Sequence, residues 1–170
     1  MAKKISLREF QEHLAARLSS AAKGQASAAL LGVQAGDDRW LLNLSDSGEI
    51  VSLPPLAPVP LTHPWFAGIA NIRGNLYAVA DFAAFAGGEP TPTHAASRLL
   101  LVGTRHGSNA ALLVTRMLGL KGPEQFTPLP PSATAPPWEA ERLSDADGRE
   151  WRKLGVRALL ADPRFMEIGA

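Results

Sequence analysis

The sequence predicts a mainly β protein, with one amphipathic helix ahead of the strands and a short hairpin and helix behind them. Three observations lead there. Short apolar runs rich in Leu, Val and Ile recur from residue 28 to residue 120, each broken by Gly, Asp, Asn or Pro. Two of them, SRLLLVG and AALLVTRMLGL, are almost wholly apolar, as expected of strands buried on both faces in a small closed barrel. Helical spacing of apolar residues is confined to the two ends of the chain.

At the N-terminus, Ser6 followed by Glu9 forms a capping box, with Ile5 and Phe10 placed as the staple around it, so a helix starts at Leu7. Leu7, Phe10, Leu14 and Leu18 make one apolar stripe, and the helix ends near Gly24. The stripe either packs on the protein's own core, the commoner fate of such helices, or docks a partner or a second copy. AALLGVQ and RWLLNL follow as a strand pair around Ala35-Gly36-Asp37-Asp38, which is hairpin chemistry. Glu49 stands against Ile50, Val51 and Leu53 in a third strand. Residues 54–64 hold five prolines, and a segment without those amide donors is an extended crossover, not a central strand.

The stretch from Trp65 to Phe82 organises the rest. Phe66 to Ile72 and Leu76 to Ala80 flank Arg73-Gly74-Asn75, two strands joined at a Gly-dependent turn. A charged side chain is almost never buried unpaired, so Arg73 sits on an exposed turn facing a partner or is tied to an internal carboxylate. Phe82 to Thr93, with Gly87-Gly88 and Pro90, reads as a loop with one helical turn. Residues 121–137 form a second Pro-rich segment with a short strand around Phe126. Asp147-Gly148 then joins Trp138–Leu143 to Glu150–Leu154 as a terminal hairpin, and Val156, Leu159 and Leu160 suit a short helix that Pro163 stops.

The block GIANIRGNLYAVADF resembles the GVINLRGxVIPVIDL signature of CheW-type scaffold domains, the adaptors that couple chemoreceptors to a CheA-type histidine kinase. Asn71, Ile72, Arg73 and Gly74 match its N-[LI]-R-G core, and the resemblance covers most of residues 28–120. It implies two small five-stranded SH3-like barrels over residues 25–137, preceded by the helix in 1–24 and followed by an extension, 138–170, packed on the domain. It also implies that Glu49 pairs with Arg73 in a partly buried groove between the barrels, orienting it, with Asn71, Ile72, Arg73 and Gly74 at the surface that takes a helical chemoreceptor tip. Exposed barrel ends are expected to hold the kinase's regulatory domain. Two positions depart from the family pattern: Ser47 replaces a usual Val, and Thr115 a usual Asp, so that carboxylate's contact is not carried over. The termini resemble the PilI-type branch, CheW-like proteins of the chemosensory system that controls type IV pili and twitching.

Composition sets the bounds. The chain has 170 residues, 46% of them hydrophobic, enough for one good core or two small ones. Seventeen Lys and Arg against 16 Asp and Glu leave a net charge of +1, so nothing draws the whole chain to nucleic acid or an anionic membrane. The alternative of a nucleic-acid-binding barrel is further weakened because the apolar strands carry no aromatic residues interleaved with basic ones. No cysteine means no disulfide, thiol nucleophile or thiolate metal site; with no signal peptide or membrane-length apolar run, the expected location is the cytoplasm. His13, His63, His94 and His106 are scattered, with no ligand or catalytic spacing; His63 reads as a loop contact beside Trp65. Asp145-x-Asp147-Gly148 would need ligands at Leu143 and Leu154 to be a calcium loop, which excludes it. Asp37 and Asp81 have no carboxylate partner that the sequence places beside them. No cofactor, metal or catalytic residue is implied.

Overall fold

Alternation along the strands explains the architecture. In the computed structural model, which describes residues 7–15 and 29–170, eleven strands are found among the described residues. They form a six-stranded sheet and a five-stranded sheet. The first strands are β1 (Leu30–Ala35) and β2 (Asp38–Asn43), joined at Gly36, whose φ of 61° permits the tight reversal. A 3-10 turn at Leu44–Asp46 carries the chain out of this sheet into the other, which contains β3 (Ser47–Ser52), β4 (Phe66–Ile72), β5 (Asn75–Asp81), β6 (Arg98–Val102) and β7 (Ala110–Val114). Their order is β3-β6-β7-β5-β4.

The chain then returns through β8 (Arg116–Lys121), β9 (Thr127–Leu129), β10 (Glu139–Ser144) and β11 (Glu150–Leu154), giving the larger sheet the order β8-β1-β2-β11-β10-β9. The apolar run AALLVTRMLGL is therefore not one strand. It breaks at Thr115, which bonds β1 and its turn through Thr115 N to Gln34 O (2.8 Å) and Gly36 N to Thr115 Oγ1 (2.9 Å). The hairpin assigned to an extension beyond residue 137 also differs from expectation. Its strand β11 pairs in parallel with β2, and the hairpin lies inside the larger sheet, which has six strands where five were expected.

Successive residues serve different cores, because side chains alternate faces along a strand. Leu100 and Val102 of β6, Ala110, Leu112 and Val114 of β7, and Trp40 and Leu42 of β2 meet in one large cluster between the two sheets. Leu99 and Leu101 with Ala111 and Leu113 face the opposite way, into a second cluster with Ala70 and Val79. Leu41 turns from its neighbours to a third, with Leu30, Leu143 and Trp151. Each sheet is thus buried on both faces, which is why its inner strands read as unbroken apolar runs.

Short helices after residue 81 pack on the shared core, whereas the N-terminal one does not. α1 spans residues 7–15 among those described, and Leu7, Phe10 and Leu14 are 74%, 56% and 47% exposed. The described part of the stripe therefore covers none of the protein's core. Ile5, Ser6, Leu18 and the helix end expected near Gly24 lie outside the described residues. α2 (Phe82–Phe85) is the helical turn expected after the central hairpin, and Asp81 caps it by accepting from Ala84 N (3.4 Å). The buried Asp81 carboxylate also accepts from Thr91 N (2.6 Å) and Thr91 Oγ1 (2.7 Å), which pins the loop between. α3 (Val156–Ala161) ends before Pro163, and Pro163 in turn opens α4 (Pro163–Met166), capped by Asp162.

Candidate functional site

The β4–β5 hairpin closes through two residues, Arg73 and Gly74, with φ of 52° and 85°. Positive φ at both positions marks a type I′ turn, whose twist matches the strands it joins and which favours Asn-Gly. Asn71 Oδ1 accepts from Gly74 N at 2.9 Å and fixes the reversal from the side. Arginine is an unusual occupant of the first position, since a side chain other than Gly, Asn or Asp is disfavoured in left-handed backbone. Local turn preference does not select it.

The Arg73 guanidinium forms an ion pair with the Glu49 carboxylate. Its pKa is raised above the ordinary value, first by the hydrogen bond to Glu49 and then by that residue's charge. The pair was expected in a partly buried groove; instead the Arg73 side chain is 67% exposed and that of Glu49 50%. Solvent screening makes such a pair a weak stabiliser, so its effect is on geometry. Glu49 lies where β3 shifts register against β6, between Ser47 and Ile50. Ile72 is half-buried against the second cluster and anchors the base of the turn.

This ion pair spans the sheet. β3 is at one edge and the β4–β5 hairpin at the other, which in a flat sheet would separate them by roughly 14–19 Å at about 4.8 Å per strand. An Arg and a Glu side chain cannot cover that gap together, so the sheet curls to bring its edges near. A backbone bridge supplies the bend: Ala57 N donates to Ile69 O and Ile69 N to Ala57 O, both at 2.9 Å. Gly68 makes the approach possible. Its φ is 130°, and a Cβ there would stand 2.5 Å from Ala57 O. The sequence reading passed over Gly68, although an isolated glycine inside a strand pattern is the signal of a bulge or a close backbone approach.

The structure thus brings Asn71, Arg73, Gly74 and Glu49 into one exposed cluster, with Ile72 beneath. Leu76, next to the turn, is 60% exposed and adds an apolar element beside the charged pair. Nothing in this cluster is arranged for chemistry: it holds one carboxylate, already paired with a guanidinium. Among the described residues no group of three His, Cys, Asp or Glu side chains is placed to hold a metal ion, and no helix is long and apolar enough to cross a membrane. Asp145, from the rejected calcium motif, instead organises the β10–β11 turn. It accepts from Asp147 N, Arg149 N, Arg149 Nε and Trp151 Nε1 at 2.9–3.0 Å, which holds its pKa at about 2, the Trp151 bond contributing most. His63 stacks on Trp65 with ring centroids 5.8 Å apart, a contact between neighbours in a loop.

Comparison with known proteins places the fold. Residues 29–164 match a model of the CheW-like domain. The chain is 28% identical over 160 residues to Protein PilI of Pseudomonas aeruginosa, covering 91% of this chain and 88% of that protein. Its fold is similar to the crystal structure of the scaffolding protein TtCheW from Thermoanaerobacter tengcongensis, with a TM-score of 0.68 and 19% identity over 84% of this chain and 97% of that one. With the family model spanning both sheets and PilI aligned along most of the sequence, the chain belongs to the CheW-like family as a PilI-type member.

Proposed function

We propose that this protein is a non-catalytic adaptor that couples a methyl-accepting chemoreceptor to a CheA-type histidine kinase, in a system that controls twitching by type IV pili. One observation carries the reading. An arginine occupies a left-handed turn position that suits Asn or Gly, and a carboxylate from the opposite edge of the sheet orients it. Strain of that kind, on an exposed tip in a family of scaffolds, is accounted for by a partner that reads the side chain. The receptor's helical cytoplasmic tip docks against Arg73, Gly74, Asn71 and Ile72, with Glu49 holding Arg73 in place. The kinase's regulatory domain engages a separate surface at the sheet ends. Binding both at once raises the effective concentration of each for the other, so individually weak contacts suffice. The protein acts in the cytoplasm and reaches the membrane only through the receptor array.

The test is reconstitution of receptor, kinase and adaptor with Arg73→Ala and Arg73→Glu. Both variants keep the melting temperature and lose receptor-dependent control of kinase activity. Full control in both overturns the assignment of the hairpin tip.

A further inference from the structure

A second place in the molecule collects positive charge without belonging to the hairpin or to β3. Between the 3-10 turn Thr104–His106 and helix α3 lies a solvent-open cleft of about 470 Å³, lined by Arg105, His106, Arg157, Leu160 and Ala161. Among the described residues no acidic side chain lines it. Its one carboxylate stands behind the lining: Asp46, with a side chain only 13% exposed, accepts from His106 Nε2 at 3.0 Å and pairs with Arg105 Nη1 at 3.6 Å. Asp46 is itself held by Asn43 Nδ2 at 3.3 Å, and its carbonyl receives Gly103 N at 2.9 Å. His106, with its side chain only 8% exposed, is thereby fixed before any ligand arrives, which lowers the ordering cost of binding, while Arg105 stays exposed beside it.

Arg157 differs. It projects from α3 with no ion pair or hydrogen bond among the described residues, a freedom it shares with Arg39 but not with Arg73, Arg142, Arg149, Arg152 or Arg164, all of which are paired. Two guanidiniums against one carboxylate leave the cleft with a local excess of one positive charge.

We propose that this cleft binds an acidic polypeptide segment of a partner protein, one that sets Glu or Asp carboxylates against Arg157 and Arg105 and an apolar side chain on Leu160 and Ala161. Guanidiniums offer carboxylates paired, directional donors, and Leu160 with Ala161 supplies an apolar patch that an inorganic anion has no use for. An open cleft of this volume leaves a single small anion largely hydrated, but admits several side chains of a peptide laid across it. The inference does not depend on the receptor and kinase reading of the hairpin.

The probe is the acetylated, amidated peptide EELEEL, with QQLQQL as its neutral counterpart and inorganic phosphate as the small anion, titrated into the full chain by calorimetry. The acidic peptide binds and the glutamine peptide does not. Affinity falls as salt rises from about 50 to about 200 mM, because exposed charges are screened over that range. Arg157→Glu weakens binding at least about tenfold, as expected for reversing a contacting charge. Arg39→Glu, the same charge change at a residue of β2 that does not line the cleft, leaves affinity within about twofold, since it offers the peptide no direct contact. Amide shifts in the unsubstituted protein, which decide the matter if Arg157→Glu fails to fold, map to residues 104–107 and 156–161. Equal affinity in Arg157→Glu and the unsubstituted protein, equal binding of the two peptides, phosphate binding tighter than the acidic peptide, or shifts confined elsewhere each overturn the proposal.

Discussion

Arg73 shows what a single residue reveals when its side chain and its backbone disagree. Asn-Gly is the natural occupant of the turn that Arg73-Gly74 forms, and the left-handed conformation costs an ordinary residue about 1–2 kcal/mol. Arg73→Asn is therefore expected to keep or raise the melting temperature while losing receptor-dependent kinase control; a fall in stability would mean that the guanidinium holds the fold. Asp145 behaves in the opposite way, as a purely structural residue. Its pKa is depressed to about 2 from an ordinary value near 3.8, so the stability it contributes is complete above about pH 4 and lost as pH falls toward 2. Asp145→Asn lowers the unfolding free energy at neutral pH and flattens its decline between pH 4 and 2, which denaturant titrations at a series of pH values measure directly. In this residue the sequence gives only the turn; the indole of Trp151 that dominates its environment comes from the next strand.

At the scale of elements, the five-stranded sheet depends on one glycine that no periodicity singles out. Ala57 and Ile69 can bridge only because Gly68 has no side chain, and its φ of 130° disfavours any substitute. Gly68→Ala is expected to cost about 2–4 kcal/mol, combining backbone strain with a steric overlap that must displace the bridge. Gly74→Ala, at a positive φ but with open space around it, costs about 1 kcal/mol. Chemical denaturation of both variants checks the ranking, and equal losses would mean that the bridge is not what holds the sheet edges. Helix α1 gives the contrasting case. Because Leu14 is half exposed and covers no core, Leu14→Ser is expected to change unfolding free energy by less than about 0.5 kcal/mol. A larger loss would place the stripe against the body of the protein after all.

For the whole molecule, what could be read from the sequence was what local pattern encodes. Turn chemistry at Gly36, Arg73-Gly74 and Asp147-Gly148 located three hairpins, and the apolar runs of β6 and β7 announced strands covered on both sides. The pairing of Glu49 with Arg73 came from family resemblance, since nothing in either local stretch points to the other. Long-range partners were otherwise hidden. Nothing near Thr115 marks it as the crossing between sheets, because both halves of its run are apolar and periodicity reports burial but not which neighbour provides it. The parallel pairing of β11 with β2 and the reach of His106 back to Asp46 are equally non-local.

The central claim is that Glu49 and Arg73 act as one recognition unit across the curled sheet. A double-mutant cycle on the affinity for a receptor cytoplasmic tip, using Glu49→Ala, Arg73→Ala and the pair, tests it most directly. The account predicts that the double variant binds no more weakly than the worse single one, because losing either residue already dissolves the unit. Losses that simply add, or an affinity untouched by either substitution, would contradict it.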